Sequence, residues 1–383
     1  AWLKAHYPTA FMAAVMSADL DNTDKIVTYI DDCQQNGLSI IPPDINRGHY
    51  RFVPNDHKCI VYGIGALKGV GEGAIESIVI GRAEEPYKNL YDFCQRVDLR
   101  KVNKRVLEAL IKGGAMDSFG QPRAVLFESL ADAIACAEQR ARDSAQGMVD
   151  MFGGPSGEEP IEERYADVSE WTEEHRLRAE KETLGLYLTG HPINRYLPEV
   201  KRLGLRRLSQ VTATGRGTTV RIAALMIEQR LRKTKSGNSW ASVTLDDRSG
   251  RLSANLYSEK YQTYGHLLAK DRVLIFEGEV SYDEYNDGLS MSVQNVMDFV
   301  QLRERDSQFI RLTCPHDINE AFIERLAQTL QPFRDGGCQL RIAYQTELAQ
   351  CEMIFSEDWA ITPSDEVLER LQELVTDIEV VYS

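Results

Sequence analysis

The sequence predicts a multidomain α+β chain: a helical first third, a five-stranded β-barrel in the middle and a small C-terminal α/β domain. Three observations carry this. Apolar residues recur at three-to-four spacing over 1–37, and, after an extended or turning path at 41–46, helices are read again from Glu72, over 102–111 and over 124–144. Between residues 219 and 299 the pattern changes to strand-like alternation interrupted by one helix. The remaining residues mix both periods. At 383 residues, 43% hydrophobic and 27% charged, the chain is long enough for two to four domains.

The net charge is −14, which taken whole opposes binding to nucleic acid, but its distribution matters more than its sum. Residues 58–120 hold 10 Lys and Arg against 8 Asp and Glu, and residues 205–300 hold 13 against 11. Residues 155–182 hold 4 against 10, and residues 301–383 hold 7 against 16. Phosphate partners therefore suit only the two weakly basic blocks. The seven cysteines are scattered without a Cys-x-x-Cys pair, which fits a reducing cytoplasm and supports neither a disulfide framework nor a zinc site. His6, His49 and His57 show no metal-ligand spacing. No apolar run is long enough to span a bilayer, so no membrane partner is expected and the location is expected to be cytoplasmic. The first residues read as the middle of a helix without a start methionine, so the chain is expected to be cut from something larger.

Residues 1–37 predict helices, with an N-cap within Asp21-Asn22-Thr23 and Gly37 as a C-cap. The segment 60–80 predicts a short helix ending at Lys68, a tight Gly69-Val70-Gly71 hairpin, and a second helix from Glu72. Glycines there leave backbone N–H groups uncovered at a helix N-terminus, which makes a seat for phosphate. Val70 would plug the turn into the core. This resembles the helix-hairpin-helix motif, which grips the DNA backbone without reading sequence. A second unit follows: a helix over 102–111, then the turn Gly113-Gly114-Ala115, where glycine–apolar–glycine would be usual. Lys68, Lys101, Lys104 and Arg105 are the side chains placed to add positive charge. The duplex-binding candidates are therefore Lys68, Gly69, Val70, Gly71, Lys104, Arg105, Gly113 and Gly114.

One helix is expected over 124–144, followed by Gln146-Gly147-Met148-Val149-Asp150-Met151-Phe152. An apolar run between a polar helix end and an acidic stretch has no core of its own to enter, and so suggests a partner's pocket. Residues 155–204 read as an acidic linker anchored by Trp171, with a short helix ended by Gly190 and Pro192. Strands are expected at 219–231, 238–245, 250–257, 272–280 and 289–299, with a helix at 259–268 between the third and fourth. That order is the OB-fold, whose second and third strands and adjoining loops bind oligonucleotides. The first loop holds Arg230, Arg232, Lys233 and Lys235 beside Trp240 and Tyr257, the expected pairing of cations and stacking rings for a single strand. Asp246 and Asp247 lie in a turn with no second acidic cluster to complete a two-metal site. Residues 308–383 predict a compact acidic α/β unit suited to protein docking rather than DNA.

Read together, 60–80, 102–117, 181–193 and Leu245-Asp246-Asp247-Arg248-Ser249-Gly250-Arg251 resemble the C-terminal part of the alpha subunits of bacterial DNA polymerase III, the C-family replicative polymerases. The resemblance covers essentially the whole chain. It implies a fingers tail over 1–56, a tandem helix-hairpin-helix domain over 57–145, a sliding-clamp-binding peptide over 146–154, the OB-fold over 205–300 and a domain binding the tau subunit of the clamp loader over 301–383. The family's clamp peptide is glutamine, about two variable positions, Leu or Met, then Phe. Asp150-Met151-Phe152 fits its end, Met148 stands at the glutamine position, and Gln146 lies two residues earlier. The implied partners are duplex and single-stranded DNA, the beta sliding clamp and tau. The family's catalytic aspartates and their magnesium belong to a palm domain preceding this region, so no cofactor and no nucleotidyl transfer are expected of these residues. Two other readings stay open: an error-prone paralogue, and a stand-alone OB and helix-hairpin-helix protein.

Overall fold

The computed structural model describes residues 2–55, 58–145, 164–213, 218–233, 239–284, 288–314, 318–345 and 350–382. They form two units, Ala1–His191 and Pro192–Ser383.

In the first unit, α1 (Trp2–His6), α2 (Pro8–Ala18) and α3 (Thr23–Gln35) lead into β1 (Ser39–Ile41), β2 (Val53–Asn55) and β3 (Cys59–Val61). Within the predicted Asp21-Asn22-Thr23 cap it is Asn22 that caps α3, accepting from the Lys25 N–H at 3.1 Å. The small sheet has the order β1-β3-β2, with β1 parallel and β2 antiparallel to β3. Then come α4 (Glu72–Gly81), α5 (Leu90–Arg96), α6 (Lys104–Lys112), α7 (Arg123–Glu128), α8 (Leu130–Ala145) and α9 (Glu173–Leu184). One hydrophobic core runs from Met12 in α2 through Ile60, Ile75 and Leu107 to Leu184 in α9. The residues predicted as a tail and those predicted as a hairpin domain thus bury their apolar faces together.

Three local expectations change. Residues 60 and 61 are strand, and only a single 3-10 turn, Ile64–Ala66, precedes the first hairpin. The helix expected over 124–144 is two helices, with Ser129 between them as the C-cap of α7. In the stretch predicted as a linker, α9 ends at Gly185 with φ +78°, not at Gly190, while Trp171 anchors it as expected, packing edge-on against Phe127 at 5.6 Å.

In the second unit, α10 (Leu197–Arg202) precedes β4 (Val220–Lys233), β5 (Ser239–Asp246), β6 (Arg251–Leu256), α11 (Ser258–Tyr264), β7 (Val273–Asp283) and β8 (Gly288–Met297). The strands close into a barrel in the order β4-β5-β6-β8-β7. Among the described barrel strands, β6 and β8 pair in parallel and the others antiparallel. Alternation fills the barrel: Ala241, Val243 and Leu245 of β5 point inward, while Trp240, Ser242 and Thr244 are half-exposed. The barrel helix is shorter than its expected span of 259–268.

A capping box between Asp298 and Gln301 starts α12 (Phe299–Asp306). From there the chain enters β9 (Ser307–Thr313), α13 (Glu320–Leu330), β10 (Arg334–Gln345), β11 (Gln350–Ile354), α14 (Asp365–Gln372) and β12 (Asp377–Tyr382). The sheet order is β11-β10-β9-β12, with β9 and β10 parallel. Arg303, on α12, is buried and reaches two carboxylates, Glu199 at 3.0 Å and Asp365 at 2.7 Å. Burial pulls its pKa down, but the charges and hydrogen bonds of Glu199 and Asp365 more than offset this and hold it charged. This pairing joins the segment before the barrel to the C-terminal sheet and its helix. It answers the demand that a buried charge be partnered.

Candidate nucleic-acid interface

The first hairpin is open. Gly69 has φ +88°, a left-handed conformation that suits glycine, and a Cβ at Gly69 or Gly71 would meet nothing within 4 Å. Val70 is buried and plugs the turn as expected, while Lys68, Gly69, Gly71 and Glu72 are exposed. Gly71 is the N-cap of α4; the Ala74 N–H already donates to the Gly71 carbonyl at 3.1 Å, so the N–H groups of Glu72 and Gly73, at the very start of the helix, are those a ligand would meet. The Lys68 N–H, by contrast, is already donated to the Thr183 carbonyl at 2.9 Å. The hairpin therefore offers the N-terminus of α4, and the Lys68 side chain, to a phosphate.

The second glycine turn is closed. Gly113 and Gly114 are both buried. A Cβ on Gly113 would lie 2.8 Å from a Leu67 methyl, and one on Gly114 would lie 2.3 Å from the Arg123 guanidinium. These glycines let Arg123 and the first hairpin pack closely, so the backbone at Gly113 and Gly114 is covered where that at Gly69 and Gly71 is open. Lys101, Lys104 and Arg105, at the start of α6, are exposed, and Lys104 reaches Glu108 only at 4.0 Å.

Arg123 and Glu180 escaped the sequence reading. Arg123 is buried, donates to Asp117 at 2.6 Å and to Glu180 at 3.0 Å, and Glu180 is fully buried. Burial lowers the Arg123 pKa, yet Asp117 and Glu180 together raise it above the ordinary arginine value. Glu180 also accepts from the N–H groups of Leu188 and Thr189 at 3.2 and 3.1 Å. This gives the apolar stretch up to His191 its place: it folds over a satisfied ion pair in the first unit. The available signal was a carboxylate within a helix that caps an apolar run.

On the barrel, the structure brings three candidates together. Arg232 pairs across the strands with Trp240 and lies over its ring at 5.5 Å. Trp240 stacks on Tyr257 with ring centroids 5.9 Å apart and planes 30° apart. Tyr257 is 55% exposed. Arg230 is exposed but engaged by Glu228 at 2.8 Å, a hydrogen bond that holds it firmly protonated. Lys233 is exposed at the strand end. The outward face continues through Ser242, Thr244, Ser253 and Asn255, all half-exposed, and Asn255 donates to Ser290 at 3.0 Å. These polar residues occupy the alternate positions of β5 and β6, so strand periodicity would have found them. Asp247 is fully buried and accepts from Arg207 at 2.8 Å, the Leu208 N–H at 2.9 Å and the Ser249 N–H at 2.8 Å. It organises the turn, as predicted.

Lys235, and the clamp candidates Gln146, Met148, Asp150, Met151 and Phe152, lie outside the described residues. Among the described residues no group of His, Cys, Asp and Glu could hold a metal ion, and no helix is long and apolar enough to cross a membrane.

An open glycine hairpin in a helical unit and a closed five-stranded barrel with a cationic, aromatic corner define a helix-hairpin-helix and OB-fold chain. Family models agree: residues 37–126 match a helix-hairpin-helix motif, 220–299 an OB-fold nucleic acid binding domain, and 325–376 the DNA polymerase III subunit alpha C-terminal domain. Similarity also reaches the DNA polymerase III subunit alpha of Vibrio cholerae, 45% identical over 98% of this chain and 32% of that protein. The corresponding Escherichia coli K12 subunit is 46% identical over 98% of this chain and 33% of its own length. The chain thus spans about a third of the curated relatives it matches. It belongs to the DNA polymerase III alpha-subunit family and corresponds to the C-terminal part. Among solved structures, the SSB domain of a Synechococcus protein is similar at 14% identity, covering 22% of this chain and 98% of that one, with a TM-score of 0.20.

Proposed function

We propose that these residues are the DNA- and partner-binding C-terminal region of a replicative polymerase: the open hairpin grips duplex backbone, the barrel corner holds the single strand, and the chain docks the sliding clamp and the clamp loader. The observation that supports it most is the Arg232–Trp240–Tyr257 stack, two rings and a guanidinium side by side on the barrel face where bases stack. Stacking contributes roughly 1–3 kcal/mol per base, and each neutralised phosphate steepens the salt dependence of single-strand binding by about 0.7 in log–log slope.

The test is fluorescence anisotropy of the whole chain with a labelled oligothymidylate across a salt series. Trp240→Ala should weaken binding by roughly tenfold at nearly constant salt slope. Arg232→Gln with Lys233→Gln should lower the slope by about 1.4. Wild-type affinity in both variants would leave the barrel as a protein-contact fold. For the clamp, Met151→Ala with Phe152→Ala is expected to abolish capture by immobilised beta clamp. Retained capture would move the docking peptide elsewhere. Burying those two side chains contributes about 1.5–3 kcal/mol each before the cost of ordering the loop. DNA held on the same chain would strengthen so modest a contact through effective concentration.

A further inference from the structure

The C-terminal sheet ends in an edge that none of the described residues blunts. β11 pairs with β10 alone among the described strands, and its residues Cys351, Glu352, Met353 and Ile354 are all exposed. The Phe355 N–H donates to the Leu340 carbonyl at 3.1 Å, so in this antiparallel register the N–H and C=O groups of Glu352 and Ile354 point away from β10. Protein edges are commonly protected by lysine, proline or a bulge. β11 has none of these, and its one charged residue, Glu352, is engaged by Arg311 at 2.9 Å and Arg341 at 3.5 Å. Its side chains are apolar instead: Met353 is 45% and Ile354 60% exposed. Met353 stands opposite the buried Ile342, so a further strand would extend the hydrophobic core outward. The surroundings are acidic, with Glu357 and Asp358 exposed just beyond the strand and 16 Asp and Glu against 7 Lys and Arg over residues 301–383.

We infer that β11 is a docking edge for a basic, extended segment of a protein partner, which adds a fifth strand to the sheet, buries alternate apolar side chains beside Met353 and sets its cations against the acidic rim. This rests on the reading of the C-terminal unit as the clamp-loader-binding part. Its occupant is a polypeptide, since the charge repels nucleic acid.

The test measures binding of the whole chain to purified tau subunit by isothermal titration calorimetry. Ile354→Pro removes one outward N–H, a substitution that an edge strand tolerates. Met353→Lys places a positive charge where the basic segment would lie. Each is expected to weaken binding at least tenfold with an unchanged melting temperature, while Ile323→Lys, at an exposed position on α13, leaves binding intact. If Ile354→Pro lowers the melting temperature, Met353→Lys decides the matter. Wild-type binding by both edge variants overturns the edge assignment and leaves the docking reading standing. Failure of the unmodified chain to bind tau overturns the docking reading itself. A sedimenting dimer that Ile354→Pro converts to monomer assigns the edge to a second copy of this chain and overturns the proposal.

Discussion

Gly69-Val70-Gly71 and Gly113-Gly114-Ala115 each follow a lysine, and each supplies one glycine in the left-handed region, at φ +88° and φ +77°. Around the first there is open space. Around the second, a Leu67 methyl and the Arg123 guanidinium fill the volume a side chain would need. Glycine serves two ends in neighbouring turns: bare backbone for a ligand in one, close approach of protein groups in the other. The same residue type cannot distinguish them; what decides is the presence of Arg123 and its two carboxylates.

The comparison breaks most severely at Glu180. Replacing it by alanine leaves buried Arg123 with Asp117 as its remaining carboxylate partner and deprives the N–H groups of Leu188 and Thr189 of their acceptor. Removing one partner of a buried pair costs about 3–5 kcal/mol, so Glu180→Ala should shift the first urea transition by that order. A loss below about 1 kcal/mol would mean that the ion pair does not hold the second turn closed. Next is Gly114→Ala. The left-handed backbone costs about 1–2 kcal/mol in a non-glycine residue, and the contact with Arg123 adds about 1–3 kcal/mol of overpacking. The same unfolding experiment should therefore give about 2–5 kcal/mol. Stability within about 0.5 kcal/mol of wild type would show that Arg123 can withdraw and that the second turn opens readily.

What the sequence made legible follows from this. The strand alternation of 219–299 and the helix breaking it are local, period-two signals, and the closed barrel follows from them. Trp240 and Tyr257 stand out in the sequence because aromatics beside a cationic loop are unusual on a surface, and the cross-strand register brings them into a stack with Arg232. The first hairpin was legible because Val70 between two glycines signals a plug. Arg123 and Glu180 were not, since they lie 57 residues apart and no local period links them. Trp171 was legible as an anchor of 164–191, but its polar anchoring was hidden for the same reason: acidic composition describes a solvated strand of chain, whereas Glu170 accepts from the Arg123 and Ala124 N–H groups at 3.0 and 3.1 Å and so caps α7. Long-range pairing of buried charges is a tertiary fact, and composition reported only its average.

The mildest substitution sharpens the comparison most. Gly71 sits at the N-cap of α4 with φ −83° and ψ 162°, a conformation open to alanine, and its Cβ would enter free space. Gly71→Ala should thus cost no more than about 1 kcal/mol of stability, the usual difference between these residues at an N-cap. Its methyl would nevertheless stand where a phosphate oxygen must approach the N–H groups of the first turn. Losing one such charged hydrogen bond is worth roughly 1.5 kcal/mol, or about tenfold in duplex affinity, while single-strand binding at Trp240 is untouched. Anisotropy with a labelled duplex and a labelled single strand separates the two effects. If duplex affinity also stays at the wild-type value, the open hairpin joins the closed one as a device for packing helices, and the duplex grip must be sought among the exposed cations at the start of α6.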